Sequence, residues 1–72
     1  MREQHPIDVL LDGRPHAVPD GTTLAGLVDT LGHAPEKVTT AVNGLFVPRG
    51  GRAARVLQPG DAVLLFQPIV GG

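Results

Sequence analysis

Five threonines (Thr22, Thr23, Thr30, Thr39 and Thr40) and Lys37 are the whole inventory of side-chain nucleophiles in this sequence, which has no Cys, Ser or Tyr. Covalent catalysis needs a nucleophile activated by a neighbouring base, and no such pairing can be read here. His5, His16 and His33 fall in an N-terminal arm, a predicted edge strand and a helix-end loop. No two of them share a helix face, so they read as ordinary surface histidines and not as metal ligands. The seven carboxylates sit mostly at turns and helix positions, where Asp does structural work. Gly50-Gly51 precedes Arg-Ala-Ala-Arg and not the Lys-Ser or Lys-Thr of a phosphate loop. No catalytic residue and no metal site are therefore expected.

One reactive group is left, the chain end. Gly71-Gly72 close the sequence, an ending that chance produces about once in two hundred chains at glycine usage of ~7%. A terminal carboxylate with a pKa of about 3.5 is anionic at neutral pH and can be activated as an acyl adenylate. Residues 67–72 can extend roughly 20 Å. Two glycines without Cβ would let that end pass through a narrow channel in another protein. Arg49-Gly50-Gly51-Arg52, with Arg55 beyond, could suggest an RNA-binding box, but one copy without interleaved aromatics is a weak match. It reads as a solvated loop, or as arginines that meet an acidic patch on a protein partner and so raise the association rate.

The elements that must carry this end follow from length and pattern. Seventy-two residues with ten Gly and seven Pro form one domain with a small core, burying about 60% of the surface of the unfolded chain. Absence of Cys removes the staples of a small secreted scaffold. Residues 1–6 carry Arg2, Glu3, Gln4 and His5 with no apolar run, neither signal peptide nor membrane anchor, so a cytoplasmic protein is expected. A net charge of -1 argues against general nucleic acid or membrane binding. Arg2 and Arg14 face six carboxylates in residues 1–36, whereas Lys37, Arg49, Arg52 and Arg55 face only Asp61 in residues 37–72, which marks a local basic loop.

Ile7, Val9 and Leu11 alternate along a first strand over residues 7–12, ending at the hairpin dipeptide Asp12-Gly13. Residues 14–18 return as a second strand, and Pro15 marks it as an edge. Thr22 or Thr23 can cap a helix whose stripe is Leu24, Leu27, Val28 and Leu31, closed by Gly32. Residues 38–42 are β-branched enough for a third strand, and Asn43-Gly44 turns it into the short run Leu45-Phe46-Val47, ended by Pro48. Residues 49–55 read as a polar loop. Residues 62–66, Ala-Val-Leu-Leu-Phe, are a nearly continuous apolar run, the pattern of a central strand buried on both faces. One short helix cannot bury its stripe alone, so it should cross one face of a mixed sheet with the last strand beside the first. The predicted class is α+β, a β-grasp or ubiquitin-like roll with four to five strands on one main helix. Residues 1–6 would be an arm, 7–66 the β-grasp domain and 67–72 a flexible tail ending Gly-Gly.

With these elements in place, the sequence resembles the ThiS family, the sulfur carrier proteins of thiamine biosynthesis. The likeness runs from Ile7 to Gly72. It rests on Ala41-Val42-Asn43-Gly44-Leu45-Phe46-Val47-Pro48-Arg49, on Leu57-Gln58-Pro59-Gly60-Asp61, and on Leu64-Leu65-Phe66-Gln67-Pro68-Ile69-Val70-Gly71-Gly72. The resemblance implies a non-enzymatic carrier, monomeric when free and without a cofactor of its own. An E1-like, ThiF-type enzyme using ATP and Mg would adenylate Gly72, and a sulfur donor protein would convert the adenylate to a thiocarboxylate. Thiazole synthase, ThiG-type, would then take the sulfur for the thiazole ring of thiamine. By position Gly72 would carry the modification, Gly71 and Val70 would thread the partner's channel, and Ile69, Phe66, Phe46 and Arg49 would contact partners. The molybdopterin-synthase small subunit, sulfur carriers of other pathways and ubiquitin-like protein modifiers share the fold and the Gly-Gly end.

Overall fold

Asp12 (φ 51°) and Gly13 (φ 85°) both take left-handed backbone, as a two-residue hairpin turn requires. The computed structural model describes residues 5–67, and in it this turn folds β1 (Pro6–Leu11) back on β2 (Arg14–Pro19), in register from Pro6↔Pro19 to Leu11↔Arg14. Asn43 (φ 53°) and Gly44 (φ 81°) repeat the device between β3 (Thr39–Val42) and β4 (Leu45–Val47). With β5 (Ala62–Phe66) these strands form one sheet in the order β2-β1-β5-β3-β4. β5 lies parallel to β1 and antiparallel to β3, so the last strand occupies the centre beside the first, as predicted. The two edges are protected differently. β2 carries Pro15 and Pro19, which lack an N–H, and β4 has only three residues.

Helix α1 (Leu24–Thr30) has seven residues, too few to persist alone in water. Its ends are well closed. The Thr23 hydroxyl oxygen accepts from the Gly26 amide at 3.1 Å. Gly32 (φ 82°) turns the chain left-handed, its amide donates to the Asp29 carbonyl and the His33 amide to that of Val28, the paired bonds of a Schellman closure. Leu24, Leu27 and Val28 are buried. Leu24 and Leu27 join Val9, Val18, Val42, Leu57 and Val63 in the core, between the helix and one sheet face. No helix among the described residues is long and apolar enough to cross a membrane.

Three expectations from sequence change. β5 is not buried on both faces: Val63 is 0% exposed, but Leu64 is 38% and Phe66 53% exposed, because the helix covers only one side of the sheet. Residues 49–55 are not a simple solvated loop. Arg49–Ala54 is a 3₁₀ helix, and Arg52 is buried at 3% exposure. β1 also starts at Pro6, inside the segment expected to be an arm. Arg52 donates from Nε to the Thr40 hydroxyl oxygen, from Nη1 to the Pro35 carbonyl and from Nη2 to the Val38 carbonyl. It thereby ties this 3₁₀ helix to β3 and to a second 3₁₀ turn, Pro35–Lys37. Thr40, fully buried, donates in turn to the Val47 carbonyl at 2.8 Å.

The core is small, so single truncations weigh heavily. Leu27→Ala should lower stability by about 2–5 kcal/mol, a large part of what a domain of this size possesses. The shift in the urea-unfolding midpoint, followed by circular dichroism, measures it.

Candidate functional site

The strand period of two assigns each residue of β5 to a face. Val63 and Leu65 turn to the helix, whereas Ala62, Leu64 and Phe66 turn away from it. Register carries the outer set across the sheet: Leu10 pairs with Ala62, Ala41 lies between Leu64 and Phe46, and Thr39 pairs with Phe66. Leu10, Leu64, Phe66 and Phe46 are all substantially exposed, Phe46 at 67%. The outer face is thus an apolar surface that nothing within the described chain covers. The sequence-predicted contact residues Phe46 and Phe66 belong to this surface and not to the core. Arg49, also exposed, follows β4 at its margin. Neither Leu10 nor Leu64 was among the expected contact residues. The continuous apolar run of residues 62–66 does not say which of its members the helix covers, and the alternation of Ile7, Val9 and Leu11 leaves Leu10 on the other face without saying what lies there. Ile69, Val70, Gly71 and Gly72 lie outside the described residues.

β5 is held at its start and near its end by side-chain hydrogen bonds. Asp61, at its start, accepts from the Gln58 amide at 2.8 Å and the Asn43 side-chain amide at 3.0 Å, with Arg55 Nη2 at 3.6 Å. Asn43 Oδ1 accepts from the Ala62 amide, and the Asn43 amide donates to the Ala62 carbonyl. Two of the three sequence motifs therefore meet in space. Asn43-Gly44 makes the hairpin and, through Asn43, also clamps the turn Gln58-Pro59-Gly60-Asp61. Further along, the Asp12 carboxylate accepts from the Leu65 amide at 3.2 Å and prolongs the ladder after β1 has turned away. Gln67 Nε2 lies 2.7 Å from His33 Nδ1, joining the strand's exit to the loop after the helix.

Burial pushes the Asp61 carboxyl up, but the Gln58 amide, the Asn43 side chain and the Arg55 guanidinium outweigh it and hold the group below the ordinary aspartate value. Among the described residues no cluster of three His, Cys, Asp or Glu could hold a metal. The chemistry supported here is recognition: an apolar face beside the exit of a clamped central strand.

The ThiS family model matches residues 7–72. The chain belongs to the ThiS family. That is a family of non-catalytic sulfur carriers of thiamine biosynthesis. The sulfur carrier protein ThiS of Escherichia coli is 38% identical over 52 residues, covering 72% of this chain and 79% of that protein. A thiazole synthase of Magnetococcus marinus is 47% identical over 62 residues, 86% of this chain, which spans only 19% of that protein's length. Among solved structures, the crystal structure of the thiamine biosynthesis protein ThiS from Geobacter metallireducens superposes with a TM-score of 0.78 at 26% identity, covering 92% of this chain and all of that one. The solution structure of a thiamine biosynthesis protein from the same organism gives 0.78 at 28% identity, covering 92% and 88%. The likeness to these ThiS structures agrees with the β-grasp roll predicted from sequence.

A pH prediction follows from Asp61. Its folded pKa lies below its unfolded value, so its contribution to stability is complete above the ordinary aspartate value of about 3.9 and is lost as pH falls through the folded pKa. Asp61→Asn should flatten the acid limb of the stability curve, measured by urea unfolding between neutral pH and about pH 3.

Proposed function

We propose that this chain carries sulfur as a thiocarboxylate on Gly72 for the thiazole ring of thiamine. The observation that carries the reading is a family match that extends through residue 72, on a fold whose central strand runs out beside an open apolar face. The Gly72 carboxylate attacks the α-phosphorus of ATP within an E1-like, ThiF-type partner that also binds Mg, and pyrophosphate leaves. A persulfide of a donor protein then attacks the acyl-adenylate carbon and AMP leaves. A thiol attacks the donor's sulfur in the resulting acyl disulfide, forming a disulfide with the donor and releasing the acyl group as a thiocarboxylate, with sulfur in place of one oxygen. A ThiG-type thiazole synthase accepts that sulfur. A thiazole synthase carrying a segment similar to this chain supports such a partner, since joining carrier and acceptor in one polypeptide raises their effective concentration.

The carrier itself supplies docking and presentation. Phe46, Phe66, Leu64 and Leu10 offer apolar area that a partner can bury at about 25 cal/mol per Å². Ile69 would contact the partner, and Val70 and Gly71 would thread its channel, which a Gly-Gly end without Cβ fits. The free chain acts as a monomer in the cytoplasm.

Incubating the chain with the activating enzyme, ATP and a sulfur source should give the mass change of one oxygen replaced by sulfur at Gly72. Adding one alanine after Gly72 should abolish that change; an extended chain that still functions in a thiamine auxotroph would overturn the carrier reading. Covalent adducts on lysines of other proteins would favour a modifier instead. Phe46→Ala and Phe66→Ala should each leave stability within about 1 kcal/mol, because the side chains are exposed. Each should nevertheless raise the KM for loading by roughly 10-fold, as loss of an aromatic contact does. Steady-state kinetics beside thermal melts separates the two effects.

A further inference from the structure

At the β4 side of the sheet lies an open cavity of about 370 Å³ whose lining includes Glu36, Thr39, Phe46, Arg49 and Arg52. Two guanidiniums against one carboxylate leave it with an excess of one positive charge. Arg52 is 3% exposed, yet its three hydrogen bonds all go to uncharged oxygens, those of Thr40, Pro35 and Val38. A guanidinium has five N–H donors, so one on each η nitrogen has no acceptor among the described residues. The salt bridge within that region joins Arg55 to Asp61, and neither Arg49 nor Arg52 has a carboxylate partner there. A cation withdrawn from water without a counter-charge is costly, and an arriving anion would supply the missing charge. The excess of one charge suits a carboxylate, whereas a dianionic phosphate would overshoot it beside Glu36. The planar guanidinium fork also matches a carboxylate geometrically.

The position of the cavity points to the source of that carboxylate. Phe46 belongs both to its lining and to the open apolar face. Thr39, which also lines it, pairs with Phe66, the last residue of β5. Cavity, apolar face and strand exit are therefore contiguous.

We propose that this cavity receives an Asp or Glu side chain of the protein partner that covers the apolar face, seated against Arg49 and Arg52. The inference rests on the docking reading above and adds the chemistry of the partner's surface. Apolar contact is non-directional, so it cannot by itself decide how the carrier is turned on its partner. A charge pair at one end of the face sets that orientation and disfavours partners lacking the acidic residue.

The test begins with the full free chain, titrated with sodium acetate and separately with inorganic phosphate at constant ionic strength, and observed by amide ¹H–¹⁵N correlation spectra. Acetate should shift Glu36, Thr39, Phe46, Arg49 and Arg52 saturably, and more tightly than phosphate. Arg49→Gln, at an exposed position that does not threaten folding, should weaken acetate by about 10-fold, the loss of one charged hydrogen-bonding partner. No saturable shift, an unchanged response in Arg49→Gln, or tighter binding of phosphate overturns the carboxylate site. In loading assays with the activating enzyme, Arg49→Gln should raise KM about 10-fold at unchanged kcat, and an unchanged KM overturns the docking role. If the wild-type chain is not loaded at all, the carrier reading fails, while the acetate titration still judges the cavity.

Discussion

One helix of seven residues has to cover a five-stranded sheet, and it can cover only one side. Most of the molecule follows from that constraint. The small core forms where Leu24 and Leu27 meet Val9, Val42 and Val63. The opposite face keeps Leu10, Leu64, Phe66 and Phe46 in contact with water. In a larger α/β protein a second layer of helices would cover such a face. Here it stays open, and a domain with so little area to bury would not retain large apolar groups outside for its own stability. The face is intelligible as a surface for association, which agrees with the ThiS family's role as carriers that must be received by other proteins.

The second requirement is that the central strand be held at both ends. At its start, Asp61, Asn43 and Gln58 lock two turns together. Near its end, Asp12 replaces the missing neighbour of β1 by accepting from Leu65. The strand is thereby fixed independently of what the following residues do, and a partner that grips the outer face also fixes where the chain emerges. Polar groups at turns thus serve function indirectly. They fix where β5 begins and where it leaves the sheet.

Arg52 belongs to neither scheme as expected from sequence. An arginine in a Gly-rich, polar stretch reads as solvated, and composition offered no reason to bury it. In the fold it closes the gap between two 3₁₀ turns and β3, with its donors aimed at carbonyl groups and the Thr40 hydroxyl. Those acceptors come from positions 12 to 17 residues away in sequence, and no local pattern reports them. The same long-range closure creates the basic cavity beside Phe46.

Local patterns sufficed for what local physics controls. Asp12-Gly13 and Asn43-Gly44 announced hairpins because left-handed backbone favours those residues. Thr23 and Gly32 marked the helix ends because each satisfies backbone groups within a turn of itself. The terminal Gly-Gly and the absence of Cys, Ser and Tyr led to the expectation that the chain end is the reactive group. Facing was another matter. Whether Leu64 and Phe66 are core or surface depends on how many helices lie over the sheet, and whether Arg52 is free or buried depends on segments far away in sequence. Sequence by itself determined the main strands and helix and their order; only the packing of one helix on one side of the sheet decided which residues stay open, because burial is a property of neighbours brought together in space.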